Sequence, residues 1–364
     1  MAATCTLRDA RLRLAAIGAA SWVVATALAC GSGGGSVTVG ETGELDRVAA
    51  VHVADDGSVL VFGGYQGAPH GGASLLFTAR ARIARVARGG VSTRVYDGEG
   101  EIIDVSWPNG RTALALVRRV RPGVPDVTRE YSLLKSTDAG ASWRPLEIPA
   151  QDSLRWIELT DEHHGWLVGY FGAFETTDGG ASWTPLEAPP RPELSKNVLA
   201  GGPANGAVAF EGTRLQLRDR HLALVRSADL GAGVTIQCIA HASADRLLVV
   251  TATPVAGSRN TRAAAREVRA SDLHTTRMLS GLPEDFVCGN ASGGGGTAFV
   301  TGARLGTAGA LGISHEVYRF AAGSAVMERA ARGGSGPDMV VALGGAPVAA
   351  EPVLSHRVRV SRWR

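Results

Sequence analysis

The chain has 364 residues, with 37 Lys and Arg against 34 Asp and Glu, for a formal net charge of +3. That near-balance excludes the focused basic surplus of a nucleic-acid binder, and a hydrophobic content of 45% excludes global disorder. With 48 glycines, 16 prolines and 5% aromatic residues, the expected class is all-β, many short strands joined by tight turns.

In chain order, the first feature is a basic start (Arg8, Arg11, Arg13) followed by an apolar run from Leu14 to Ala29. Such a run is short for a bilayer span and has the layout of an export signal. It ends Ala27-Leu28-Ala29-Cys30, followed by Gly31-Ser32-Gly33-Gly34-Gly35-Ser36, and resembles a bacterial lipoprotein signal. The resemblance implies removal of residues 1–29, lipidation of Cys30 and a flexible tether over residues 30–39. The usual pattern prefers Leu where Ala27 stands, so ordinary signal-peptidase cleavage near Ala27 or Ala29 is the competing expectation. Either route predicts an extracytoplasmic protein of the bacterial cell envelope, lipid-anchored or secreted.

Residues 40–364 read as one domain. Asp46–Arg88 holds the strand-like runs Val48–Val53, Val59–Phe62 and Leu75–Thr78, with Asp55-Asp56-Gly57 as a turn between the first two. The cluster Arg80, Arg82, Arg85 and Arg88 alternates as a solvated strand face does, and a phosphate site there is the weaker reading; Arg118, Arg119 and Arg121 form a second cluster. Next, Ser136-Thr137-Asp138-Ala139-Gly140-Ala141-Ser142-Trp143 aligns with Thr176-Thr177-Asp178-Gly179-Gly180-Ala181-Ser182-Trp183. In each copy the aspartate (Asp138, Asp178) is expected to accept N–H bonds within a hairpin turn. Gly140 and Gly180 permit a positive φ, and Trp143 and Trp183 pack between sheets.

Val225-Arg226-Ser227-Ala228-Asp229-Leu230-Gly231 reads as a worn third copy without its tryptophan, and further units open at Ile236–Ala240, Phe286–Cys288 and Met339–Leu343. The total is about seven units at a spacing of roughly 40 to 50 residues, a propeller-like period. The predicted fold is a β-propeller of about seven four-stranded blades, six or eight being the alternatives. Cys238 and Cys288 fall on the opening strands of two successive units. An even pair in an oxidising compartment predicts one disulfide, and two buried free thiols are the alternative.

The paired turns resemble Asp-box (bacterial neuraminidase) repeats, which mark propeller blades in sialidases, sortilin-like domains and photosystem II assembly factors. The stretch Trp156–Gly169, with its Asp161-Glu162-His163-His164-Gly165-Trp166 turn, looks like a blade opening of the assembly-factor type. The likeness is specific around these turns and loose from Glu101 to Glu187. It implies a non-catalytic scaffold that binds a protein. The alternative is a carbohydrate-binding or glycoside-hydrolysing, sialidase-like propeller.

No catalytic residue is assigned. Sialidases carry an Arg-Ile-Pro-like motif, whereas this chain offers only Arg82-Ile83-Ala84, and the acidic residues that can be placed read as turn residues. His163 and His164 read as hairpin residues rather than metal ligands. Trp107, Trp156, Trp166 and Tyr170 are the candidates for a sugar-binding surface. No metal, cofactor or nucleic acid is expected. The expected partner is a protein or a cell-envelope glycan, bound by a monomer.

Overall fold

Runs of consecutive apolar residues such as Val59–Phe62, Ala113–Val117 and Leu247–Val250 cannot leave one strand face in water, so their sheets must be covered on both sides. The computed structural model shows how this is done. It describes residues 36–364 apart from 44, 46, 67–78, 122–127, 149–153, 170–171, 187–197, 203–205, 258–260, 295, 306–312, 333–339, 343–347, 354–356 and 364. The expected signal, Cys30, Tyr170 and the predicted run Leu75–Thr78 lie outside the described residues.

Among the described residues, seven four-stranded antiparallel sheets follow one another. Blade 1 is β2 (Arg47–Val53), β3 (Val59–Gln66), β4 (Ala79–Val86) and β5 (Ser92–Glu99). Blade 2 is β6 (Glu101–Ser106), β7 (Ala113–Arg121), β8 (Thr128–Ser136) and β9 (Arg144–Leu146). Blade 3 is β10 (Leu154–Leu159), β11 (Gly165–Gly169), β12 (Ala173–Thr176) and β13 (Thr184–Pro185). Blade 4 is β14 (Val198–Gly202), β15 (Gly206–Glu211), β16 (Arg214–Arg218) and β17 (Leu224–Asp229). Blade 5 is β18 (Thr235–Ser243), β19 (Arg246–Pro254), β20 (Thr261–Arg269) and β21 (Thr275–Leu279). Blade 6 is β22 (Phe286–Gly294), β23 (Thr297–Leu305), β24 (Ile313–Ala321) and β25 (Glu328–Arg332). The closing blade takes β26 (Val340–Ala342), β27 (Val348–Val353) and β28 (Arg357–Trp363) from the end of the chain, and β1 (Ser36–Gly43) from its start. Residues 36–39, expected in the tether, thus begin a strand: their backbone pairs with β28 despite its glycine-rich approach.

The first strands of neighbouring blades touch in a closed ring, from β2 through β6, β10, β14, β18, β22 and β26 back to β2. The core lies between blades. Val59 and Val61 pack with Val358 and Val360 of the closing blade, while Leu60 and Phe62 pack with Ala115 and Val117 of blade 2. Leu247 and Val249 likewise face blade 4, and Leu248 and Val250 face blade 6. Alternation of side chains along a strand sends successive residues to opposite neighbours, which is why these runs are unbroken.

Bulges in the ring strands free polar side chains to stitch the ring. Asp104 in β6, beside such a bulge, accepts a hydrogen bond from Ile157 N of β10 (2.8 Å), and Ser106 Oγ accepts one from Leu159 N (2.7 Å). Gln237 Oε1, at the bulge in β18, accepts one from Cys288 N of β22 (3.1 Å). Desolvation pushes the Asp104 carboxyl up to about 7, against the pull of the Ile157 and Val105 N–H groups. A raised carboxyl pKa costs stability as pH rises: between about 4 and 7 the unfolded chain ionises while the folded chain keeps its proton. Asp104→Asn keeps an acceptor for Ile157 N and is expected to flatten the fall in melting temperature across that window. Melting curves of both proteins at stepped pH check this.

Candidate functional site

Antiparallel pairing gives the propeller two distinct ends. Turns joining first to second and third to fourth strands share one end. Turns joining second to third strands, and the crossings to the next blade, share the other.

The two Asp boxes sit at the first end, between the third and fourth strands of blades 2 and 3. Asp138 Oδ1 accepts hydrogen bonds from Ser136 Oγ (2.8 Å) and Ser142 N (2.9 Å), and Ser136 Oγ accepts one from Gly140 N (2.9 Å). The second box repeats this with Asp178, Thr176, Ser182 and Gly180. Gly140 and Gly180 adopt φ of 75° and 86°, and a Cβ on Gly140 would lie 2.6 Å from Leu60 of blade 1. Trp143 donates its Nε1–H to Gly140 O (3.2 Å) and meets Phe62 and Trp107 edge-on. Each box is thereby packed onto the preceding blade, and its aspartate is occupied by its own turn.

The worn copy lies elsewhere than expected. Val225–Gly231 covers most of β17 and the residues after it, and the equivalent turn is 219–223, where Asp219 Oδ1 accepts His221 N and Ala223 N (2.9 Å each). Leu222 there carries the positive φ (61°) that glycine carries in the true boxes.

The same end has a girdle of contacts between third strands and the following blade, which sequence reasoning missed. Lys135 Nζ donates to Gly179 O of the blade 3 box (2.6 Å). Glu175 holds His164 Nε2 of its own blade (2.6 Å) and His221 Nδ1 of blade 4 (3.0 Å). Glu267, fully buried, accepts Gly323 N of blade 6 (3.2 Å) and pairs with Arg277 Nε (2.9 Å). Glu267 and Asp104 also correct the expectation that acidic residues lie in turns: both stand inside strands, where burial requires partners.

Hydrogen bonds from Ser182 Oγ, then Ser182 N and Thr176 Oγ1, outweigh desolvation and hold Asp178 at about 2. Its contribution is therefore present above about 4 and lost as pH falls toward 2. Asp178→Ala is expected to cost about 1–2 kcal/mol at neutral pH, the scale of a lost capping bond. The difference from the parent should shrink below pH 3; urea titrations at both pH values measure it.

The other end carries the charge. Arg80, Arg82 and Arg94 of blade 1 converge on Asp97, at 2.6, 3.5 and 2.9 Å. Next to them, Glu101 at the start of β6 is gripped by Arg118 of β7 and by Arg47 of β2 (3.4 Å), and Arg119 approaches Glu99 (4.0 Å). Desolvation opposes ionisation of Asp97, but the Arg80 hydrogen bond and the charges of Arg82, Arg80 and Arg94 hold its carboxyl below the usual range. Six arginines thus surround Asp97, Glu99 and Glu101, and they outnumber the acids even with Glu130, opposite Arg119 in the register, added. The first arginine cluster is not simply a solvated face: Arg82 is 8% exposed, and Arg85 turns to Asp56 at the opposite end. Packing of blade 2 on blade 1 brings Arg80 and Arg118 to one end, 38 residues apart in sequence. Arg47, Arg80 and Arg94 keep about half of their side-chain surface in water, so their pairs contribute little to stability, and an incoming carboxylate can engage these guanidinium groups with bidentate geometry.

Cys238 and Cys288 are bonded across β18 and β22, with Cα atoms 6.3 Å apart. Trp156 and Trp166 are 8% and 0% exposed, and Trp166 donates to Arg220 O (2.6 Å), so neither lines a surface. Trp107 is stacked on His52 at 3.8 Å. Among the described residues no group of His, Cys, Asp and Glu can hold a metal ion, and no helix is long and apolar enough to cross a membrane.

Residues 135–198 match the family model of photosynthesis system II assembly factor YCF48. This is an Asp-box propeller resembling the YCF48 type. Its architecture is similar to a solved structure of YCF48 bound to a D1 peptide, with a TM-score of 0.54 and 12% identity over 92% of this chain and 96% of that one. A GH74 xyloglucanase from Xanthomonas campestris gives a TM-score of 0.53 and 12% identity, over 90% of this chain and 55% of that one. Streptogramin B lyase gives 0.51 and 9%, over 90% and 97%. At such identities the likeness is one of fold, and that fold serves both binding and catalysis. No curated protein matches the sequence.

Proposed function

We propose that the chain is an exported, non-catalytic scaffold, tethered to the bacterial membrane through lipidated Cys30, whose arginine-rich end captures an acidic segment of a protein partner. The observation that carries this reading is the convergence of six arginines on Asp97, Glu99 and Glu101. A peptide carboxylate offers the bidentate acceptor that guanidinium groups fit. The YCF48-type repeat and the peptide-bound neighbour favour a protein ligand over a glycan, as does the burial of Trp156 and Trp166. Export accounts for the Cys238–Cys288 bond, since such bonds persist outside the reducing cytosol. The working unit is a monomer.

Fluorescence anisotropy with a glutamate-rich peptide bearing a free C-terminal carboxylate tests the reading. Binding should weaken steeply as salt is raised, and an amidated lysine-rich control should stay free. Equal affinity for both peptides would sink it.

A further inference from the structure

The strand that closes the ring also fixes which end meets the membrane. β1 holds the fourth position of its blade, antiparallel to β28. A fourth strand begins at the Asp-box end and finishes at the arginine end. Ser36 therefore stands at the Asp-box end, opposite Trp363 in the register, and Gly43 stands at the arginine end.

We infer that the Asp-box end is the face turned to the lipid surface and that the arginine cluster is presented away from it. This rests on the lipid attachment proposed at Cys30. Six residue steps separate Cys30 from Ser36, and fully extended they reach about 20 Å. Bringing the arginine end to the bilayer requires the tether to run back along the blade. In the closing blade β1 and β28 are eight and seven residues long, about 26 and 23 Å at 3.3 Å per residue. The tether is too short to do so. The acidic segment of the partner is then met at least a blade height above the membrane rather than at its surface.

The test uses the full lipidated protein in vesicles of phosphatidylethanolamine and phosphatidylglycerol carrying an acceptor dye. Ala256→Cys lies in the turn between β19 and β20 at the arginine end, and Ser271→Cys lies between β20 and β21 at the Asp-box end; both positions are exposed. Each variant carries a donor dye, with Cys238 and Cys288 protected by their bond. Co-flotation with the vesicles is read first. Energy transfer to the bilayer is expected to be at least twofold higher from position 271 than from 256. Co-flotation with equal or reversed transfer overturns the orientation while leaving the lipid attachment standing. Failure to float, unchanged by Cys30→Ala, overturns the attachment and the orientation with it.

Discussion

Replacing Arg80 and Arg118 together by glutamine should weaken binding of an acidic peptide by at least a hundredfold. Each side chain can supply a charge-assisted hydrogen bond to the ligand, worth about 1.5–3 kcal/mol, and about 1.4 kcal/mol is tenfold in affinity. Both residues now spend their charge on Asp97 and Glu101, and those acids keep Arg82, Arg94 and Arg47 as partners, so the loss costs the fold little. The melting temperature should therefore move by only a few degrees while the affinity falls away. Titration of the double variant and the parent with the same peptide, alongside thermal melts, separates the two effects. An unchanged affinity would place recognition elsewhere on the propeller.

The second large effect concerns the bond between Cys238 and Cys288. It joins the ring strands of blades 5 and 6 across a sequence separation of 50, for which chain entropy gives about 4 kcal/mol. Removing it loosens an interface that also depends on Gln237 holding Cys288 N and Glu267 holding Gly323 N. Cys238→Ser with Cys288→Ser is expected to lower unfolding stability by about that amount. The parent in reducing agent should approach the same value. Urea unfolding of the oxidised, reduced and serine forms measures this, and three coincident curves would show that the bond contributes nothing.

Much of the fold was legible because local chemistry repeats. The Ser/Thr-x-Asp-x-Gly spacing encodes a turn that satisfies its own backbone, and Val59–Phe62 and Leu247–Val250 announce strands covered on both faces. Other features depend on long-range closure. Val225–Gly231 has the residues of an Asp box, yet Leu224–Asp229 pairs with β16 as a strand, and the turn moves to Asp219. Residues 36–39 look like tether by composition and become the edge of the closing blade only because β28 needs a partner. The arginines resisted reading because their meeting depends on how consecutive blades pack. Arg80 and Arg118 look like two ordinary strand faces until that packing places β4 against β6 and β7 beside it.

Hydrogen–deuterium exchange of the chain with and without the glutamate-rich peptide tests most directly whether the arginine end is the binding site. Protection is predicted at the starts of β4 and β6 and the ends of β5 and β7, with the Asp-box turns at 136–143 and 176–183 unaffected. Protection confined to those turns, or spread evenly around the seven blades, would contradict it.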